Sequence, residues 1–200
     1  MTAETERRRR RTPEEAGREI LDAAEAFLRE RPFRDLTIDE VMDGTGLSRP
    51  SFYVYFRDRH HLALNLIEEI GSDLFDTAGR WLEGEGDDPD DLREALRGTA
   101  RVFATHGPVL RAIADAATED ADVEQAYRAL MQGFVDASAG RIEREVAAGR
   151  STVADPARTA AALVWMNERF FNETLGREPF DDPDDVAETL VRIWSATIYR

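Results

Sequence analysis

The chain lacks cysteine, lysine and any long apolar run, and the first and last of these absences each exclude a class of protein. Without cysteine there can be no disulfide and no thiolate for metal binding or catalysis. No apolar stretch approaches the roughly 20 residues that span a bilayer. No apolar segment follows the N-terminal arginines, as it would in a secretory signal. We therefore expect a cytoplasmic protein without a membrane segment.

The sequence also lacks the motifs of a catalytic or metal centre. His60, His61 and His106 do not have the spacing of metal ligands. There is no glycine-rich phosphate loop and no nucleophile motif. The acidic runs at 83–91 and 181–185 are interpreted as solvated loops that supply helix caps. We expect no catalytic residue, no metal and no cofactor, and predict that the protein is not an enzyme.

The charge that is present is strongly negative, with a formal net charge of −15, but it is unevenly distributed. Residues 1–60 hold 12 arginines and 13 carboxylates, whereas residues 61–200 hold 14 arginines and 28 carboxylates. Local potential matters more for phosphate contact than net charge does, so DNA binding by the N-terminal part is not excluded. The arginine run at 7–11 lies in a predicted flexible arm (1–12). This run is either a solvated tail or an arm that contacts phosphates or a minor groove.

Apolar residues recur at three- and four-residue spacing along most of the chain, which predicts an all-α fold of about nine helices. The first helix is expected to begin near Pro13 and to end before Pro32, which cannot continue it. A long fourth helix should start at Asp58. The remaining helices are predicted at about 90–105, 108–118, 120–149, 156–175 and 184–198. We predict a DNA-binding domain at 13–60 and a helical body at 61–200.

Residues 36–56 carry the most informative pattern. Thr-Ile-Asp-Glu at 37–40 is a capping-box pattern that opens a short helix. Gly44 and Gly46 follow, and either can take the positive φ of a tight turn. Ser48 can cap a second short helix, with Pro50 in its first turn. A capped short helix, a glycine turn and a second short helix form a helix-turn-helix.

The second short helix, about 49–55, is predicted to enter the major groove of DNA. Phe52 and Phe56 are four residues apart and can face inward together. Four other side chains of this helix are then left for DNA contact: Arg49, Ser51, Tyr53 and Tyr55.

The run Ser-Arg-Pro-Ser-Phe-Tyr-Val-Tyr-Phe at 48–56, followed by Arg57-Asp58-Arg59, resembles the signature of TetR-family regulators. In that family a short recognition helix ends in Tyr-x-x-Phe, and a basic residue stands at the start of a long connecting helix. Arg59 fills the basic position, where the family usually has lysine, and His60 stands where many members have an acidic residue. The resemblance and the helix pattern together predict these DNA-contacting residues: Thr37, Ser48, Arg49, Pro50, Ser51, Tyr53, Tyr55 and Arg59.

Two C-terminal segments, 166–171 and 190–199, resemble the EthR-like repressors within this family. The resemblance implies a mostly aromatic tunnel in the body that accepts a small apolar or amphipathic effector. It implies a lining of Phe103, Met131, Phe134, Asn167, Phe171 and Trp194. From the residues alone, the aromatic side chains are core by default. The buried amide of Asn167 needs a partner, which is either a ligand carbonyl or a neighbouring backbone group.

The resemblance implies a sequence-specific transcriptional regulator that dimerises through its last two helices, about 156–175 and 184–198. Such a dimer is expected to bind a near-palindromic double-stranded operator and to act as a repressor that a ligand releases. Two alternatives stay open: a helical ligand-binding or partner-binding protein without operator recognition, and an activator.

Overall fold

The computed structural model of the protein describes residues 12–84 and 89–199. Every regular element in these two ranges is helical, which confirms the predicted all-α class. The elements are α1 (Pro13–Glu30), a 3₁₀ turn (Phe33–Asp35), α2 (Ile38–Asp43), α3 (Arg49–Tyr55), α4 (Arg59–Glu83), α5 (Pro89–Ala116), α6 (Ala121–Ala147), α7 (Pro156–Thr174) and α8 (Pro183–Ile198). None of these helices is both long and apolar enough to cross a membrane. The predicted arm, apart from Thr12, lies outside the described residues, as does the acidic stretch 85–88.

Helices α1, α2 and α3 form a small head whose apolar faces meet. The hydroxyl of Thr12 accepts a hydrogen bond from the Glu15 N–H (3.2 Å), and the Glu15 carboxylate accepts one from the Thr12 N–H (2.8 Å). This reciprocal pair is a complete capping box that the sequence analysis did not identify. The residues buried in the head come from all three helices: Ile20, Ala24, Leu28, Val41, Met42 and Phe52.

Helix α4 runs from the head into the body, where it packs against α5 and α6. Helices α7 and α8 complete the body, with α7 packed mainly against α6 and α8 mainly against α5. Apolar residues on α4 recur at helical spacing and are buried along its length, so one continuous core connects the head to the body. With 25 residues, α4 is long enough to extend from the head into the body.

The prediction of separate helices at 90–105 and 108–118 is wrong, because α5 continues through Pro108. Proline removes one helical hydrogen bond and clashes with the preceding turn. Here the buried face continues past it, from Phe103 to Leu110 and Ile113. Gly107 has no β-carbon to clash with the proline ring. Burial of the whole face outweighs the lost bond, and the described chain has eight α-helices where about nine were predicted.

Three details of the predicted turn are also corrected. Gly44 has φ of −75°, and the one glycine with positive φ among the described residues is Gly149. A β-carbon on Gly44 would lie 3.2 Å from that of Ala23, so close packing explains the glycine. Ser48 occupies the N-cap of α3 but makes no side-chain cap hydrogen bond. Thr37 caps α2 as predicted. The Glu40 carboxylate, however, does not complete the predicted capping box. It accepts a hydrogen bond from the Thr37 hydroxyl at 2.9 Å and pairs with Arg31.

Candidate DNA-binding surface and ligand cavity

The outer face of α3 exposes two large apolar side chains of the head. Phe52 and Phe56 are buried as predicted, with ring centroids 5.6 Å apart, and they fix the helix to the core. On the opposite side Tyr53 is 54% exposed and Val54 is 73% exposed. Exposed aromatic and β-branched side chains on a short helix suit contacts with thymine methyl groups and base edges. Val54 was not among the predicted contact residues, although it lies inside the quoted motif.

Polar groups at the start of α3 surround this exposed face. Arg49 is exposed and pairs with Asp39 of α2 at 2.9 Å. The hydroxyls of Ser48 and Ser51 share a hydrogen bond of 2.9 Å. Pro50 is exposed beside them. An exposed ion pair contributes little to stability, so Arg49 can exchange Asp39 for a phosphate at low cost.

Tyr55 and Arg59 are held by the protein itself, in contrast to Tyr53. The ring of Tyr55 packs on α1, and a β-carbon on Gly17 would lie 3.6 Å from it. The Arg59 guanidinium donates to the carbonyl oxygens of Arg34 and Leu36, both at 3.2 Å. It therefore joins the start of α4 to the turn before α2. Nearby Arg57 is exposed, although it was not among the predicted contact residues.

The start of α4 is capped as the sequence predicts. Oδ1 of Asp58 accepts a hydrogen bond from the His61 N–H at 2.8 Å. This bond stabilises the ionised carboxylate and holds the pKa of Asp58 below its ordinary value of 3.8. The cap fixes where α4 begins, directly after α3.

Two histidine–carboxylate contacts tie the head to the body. Nδ1 of His106 on α5 lies 2.6 Å from Oε1 of Glu25 on α1. Arg29 donates to the same oxygen at 2.6 Å and to the carbonyl of Thr105 at 3.3 Å. His60, at the start of α4, lies 3.2 Å from Asp120 at the N-cap of α6. These polar contacts connect α5 and α6 to the head.

A cavity lies in the body, between α4, α5, α6, α7 and α8. The space between its side chains amounts to about 600 Å³, including the part that opens to solvent. All six predicted ligand-contacting residues lie around it, together with eleven others. The lining consists of Leu74, Ala78, Trp81, Leu82, Leu92, Ala95, Leu96, Thr99, Phe103, Met131, Phe134, Ser138, Val164, Asn167, Glu168, Phe171 and Trp194. Their role in binding stays a prediction.

Two aromatic pairs form part of the cavity wall. The rings of Phe103 and Phe171 stack at 4.7 Å, and the rings of Trp81 and Trp194 meet edge to face at 5.4 Å. We did not identify Trp81 from the sequence, although it extends the apolar series of α4. The wall joins α4 directly to α5, α7 and α8, so a ligand here would touch α4.

The amide of Asn167 has a partner that neither sequence-based alternative named. Its Oδ1 accepts a hydrogen bond from the Trp194 indole N–H at 2.9 Å. The partner lies on another helix, which spacing along one helix cannot reveal. Because the oxygen is occupied, the two N–H groups of the amide are the part available to a ligand carbonyl or hydroxyl.

Glu168 adds a carboxylate to this mostly apolar lining. The Tyr127 hydroxyl donates to its Oε1 at 2.5 Å, and the Asn172 amide donates to the same atom at 2.6 Å. Burial, together with the charge of Glu168, raises the pKa of Tyr127. Across residues 12–84 and 89–199, no group of three or more carboxylates and histidines could hold a metal ion.

Comparison with known proteins assigns the two parts separately. Residues 20–66 match the family model for bacterial regulatory proteins of the tetR family. Residues 92–200 match the model for the C-terminal domain of the transcriptional regulator EthR. The HTH-type transcriptional regulator EthR of Mycobacterium tuberculosis is 32% identical over 188 residues, which cover 90% of this chain and 85% of EthR.

Solved structures share the fold at lower identity. The fatty acid degradation regulator FadR from Bacillus halodurans is 11% identical and superposes with a TM-score of 0.79, covering 96% of this chain and all of FadR. FadR from Bacillus subtilis, solved in complex with stearoyl-CoA, is 12% identical with a TM-score of 0.75, covering 91% and 99%. The chain therefore belongs to the TetR family of bacterial DNA-binding transcriptional regulators, and its body is of the EthR type.

Proposed function

We propose that the protein is a homodimeric repressor that leaves a near-palindromic operator when a small apolar or amphipathic ligand enters the cavity. The observation that carries the proposal is the direct contact between the cavity wall and α4, the helix that follows the recognition helix α3. A regulator of this kind acts on double-stranded DNA in the cytoplasm.

Exposed apolar residues on the last two helices support dimerisation there. Trp165 on α7 is 40% exposed and Ile193 on α8 is 38% exposed, while most other large apolar residues of the body are buried. Burying the part of these side chains that is still exposed would stabilise a dimer. A two-fold dimer would place two α3 helices in successive major grooves, about 34–36 Å apart.

The nature of the wall supports an apolar ligand. A mostly apolar cavity with several aromatic residues and few polar groups is typical of small-molecule sites. The stearoyl-CoA complex of the Bacillus subtilis neighbour shows one protein of this fold binding a molecule with a long acyl chain. The amide N–H groups of Asn167 would orient the polar part of such a ligand.

The contacts between head and body support coupling of ligand to DNA. Phe103 lines the cavity, and one turn later on α5 His106 contacts Glu25 of the head. A ligand that displaces the ring of Phe103 would shift α5 and disturb that contact. Two states with different spacing of the α3 helices would then differ in affinity for both ligand and DNA, which is the requirement for allostery.

Operator binding is tested by fluorescence polarisation with the gene's own upstream DNA and a scrambled duplex, at two salt concentrations. We expect tight, salt-sensitive binding with a large preference for the native fragment. Tyr53→Ala should weaken binding at least tenfold, which corresponds to about 1.4 kcal/mol. Arg49→Ala should also reduce the salt dependence by about one phosphate contact.

Arg128→Ala serves as the matched control, since Arg128 is an exposed arginine of α6 in the body. It should leave operator affinity and salt dependence unchanged. If the unmodified protein binds both duplexes weakly and equally, and a genomic fragment library yields no preferred sequence, operator recognition is wrong. A ligand-binding protein without a DNA-reading head would then explain the fold better.

A further inference from the structure

One charged side chain interrupts the apolar wall of the cavity. Val164, Glu168 and Phe171 share a face of α7 at three- and four-residue spacing, and that face lines the cavity. Among the lining residues, all of which the structure describes, Glu168 alone is charged. A carboxylate in apolar surroundings is costly unless it is hydrogen-bonded or paired with a cation. Its partners therefore indicate what kind of ligand it suits.

The hydrogen bonds to Glu168 occupy one of its two oxygens. Tyr127 and Asn172 both donate to Oε1. Because the pKa of Tyr127 is raised, its hydroxyl stays protonated near neutral pH and keeps donating. Within the described ranges no hydrogen bond reaches Oε2, and no arginine or histidine pairs with the carboxylate. The arrangement holds the carboxylate in place and leaves one oxygen for another donor.

We propose that the effector is an amphipathic cation, with an apolar part against the aromatic wall and a protonated amine paired with Oε2 of Glu168. This inference rests on the proposed ligand-binding role of the cavity. An ammonium group supplies both the positive charge and the N–H donor that the carboxylate lacks. An anionic group would meet a like charge in a poorly solvated wall, which is unfavourable.

Two further features favour the same class of ligand. The ring of Trp194 in the wall can attract a cation through its face, whereas the Arg141 guanidinium already lies over the ring of Trp81. The body is also strongly acidic, with 28 carboxylates against 14 arginines in residues 61–200. A negative potential of this kind raises the local concentration of cations and lowers that of anions.

Three ligands with the same alkyl chain separate the possibilities: dodecylamine, dodecanol and dodecanoate. Each is titrated into the full-length protein at neutral pH by calorimetry, below its micelle concentration. An alkylamine is then protonated, because the related lysine amine has a pKa of about 10.4. We expect dodecylamine to bind about tenfold or more tightly than dodecanol, and dodecanoate to bind more weakly than either.

The variant Glu168→Gln keeps an acceptor for Tyr127 but removes the charge. It should reduce the preference for amine over alcohol to about twofold or less, chiefly by weakening dodecylamine binding. Glu143→Gln is the matched control, because Glu143 is exposed on α6 and its loss changes the net charge equally. This control should keep the full amine preference, which separates pairing at Glu168 from general attraction to an acidic protein.

Equal binding of amine and alcohol to the unmodified protein would overturn the inference, as would an unchanged preference in Glu168→Gln. If that variant does not fold, the ranking of the three ligands by the unmodified protein decides the matter alone. Binding of dodecanol without amine preference refutes only this inference. Failure of both dodecanol and dodecylamine to bind refutes the proposed ligand-binding role of the cavity as well.

Discussion

Single side chains determine how the recognition helix is joined to the lever helix α4. Phe56 ends α3 in the core, and Asp58 begins α4 two residues later by capping it. Arg59 then ties the first turn of α4 to the carbonyls of Arg34 and Leu36. These contacts leave little freedom between α3 and α4, so a rotation of α4 has to move α3.

Replacing the cap of α4 should lower stability in a pH-dependent way. Asp58→Ala should lower the free energy of unfolding by about 1 kcal/mol at pH 7, since the His61 N–H loses its partner. The folded-state pKa of Asp58 lies below its ordinary value. Its charge-dependent contribution is therefore present above that ordinary value and is lost as the pH falls through the folded-state pKa. Urea unfolding at pH 7 and in mild acid measures the difference.

Asp58→Asn is the control for this prediction, because asparagine caps helices about as well as aspartate. It should cost much less than Asp58→Ala at pH 7. A difference between the alanine variant and the unmodified protein that stays constant into acid would contradict the role assigned to the ionised carboxylate.

Sequence spacing correctly predicted which side chains of one helix face inward. It did not predict the contacts that join one helix to another. The inward placement of Phe52 and Phe56 follows from a four-residue interval. The hydrogen bond from Trp194 to Asn167 joins α8 to α7, and the ring of Tyr55 packs beside Gly17 of α1. Neither contact has a local signal, because its partner is fixed only by the tertiary packing.

At the scale of whole elements, α5 shows how tertiary packing overrides a local breaker. Pro108 favours a helix boundary, and the sequence analysis placed one there. The buried face of α5 nevertheless continues on both sides of the proline. Gly107 lies against the backbone of Leu175 and Gly176 at the end of α7. The pairing of α5 with α7 thus depends on the absence of a side chain at position 107.

A β-carbon at position 107 should separate these two helices. Gly107→Ala would bring that carbon into the carbonyl oxygen of Leu175, a backbone atom that cannot rotate away. We expect the variant to lose about 2 kcal/mol of unfolding free energy or more, as in overpacked cores. Urea denaturation followed by circular dichroism provides the measurement.

Gly79→Ala, in α4 of the same body, should have the opposite effect on stability. Nothing lies within 4 Å of a β-carbon at this position in α4. Alanine should therefore stabilise the protein by about 0.5–1 kcal/mol through its better helix propensity. Equal effects of the two substitutions would show that helix propensity, and not the close approach of α5 to α7, governs position 107.

At the scale of the whole molecule, the protein separates a nearly neutral head from an acidic body. Residues 1–60 are almost balanced in charge, and the excess of carboxylates lies in residues 61–200. Repulsion between the acidic body and DNA phosphates would favour an orientation in which only the head meets the duplex. The proposed dimer through α7 and α8 would present two such heads to one operator.

Charges placed in the proposed dimer surface should produce monomers. Trp165→Glu combined with Ile193→Glu would put carboxylates where two apolar patches meet, which strongly disfavours association. Sedimentation velocity should show a dimer for the unmodified protein and a monomer of unchanged helical content for the variant, with operator affinity reduced about tenfold or more. Val146→Glu, at an exposed apolar position on α6, should remain dimeric. A dimeric double variant would place the interface elsewhere.

The most direct test of control by the cavity is to measure operator affinity by fluorescence polarisation with and without saturating dodecanol or dodecylamine. Calorimetry on the same samples would establish that the ligand is bound. The account predicts that bound ligand weakens operator binding by roughly 5–150-fold, and that operator DNA weakens ligand binding by the same factor. Bound ligand with unchanged operator affinity would contradict it, because the cavity would then have no influence on the head.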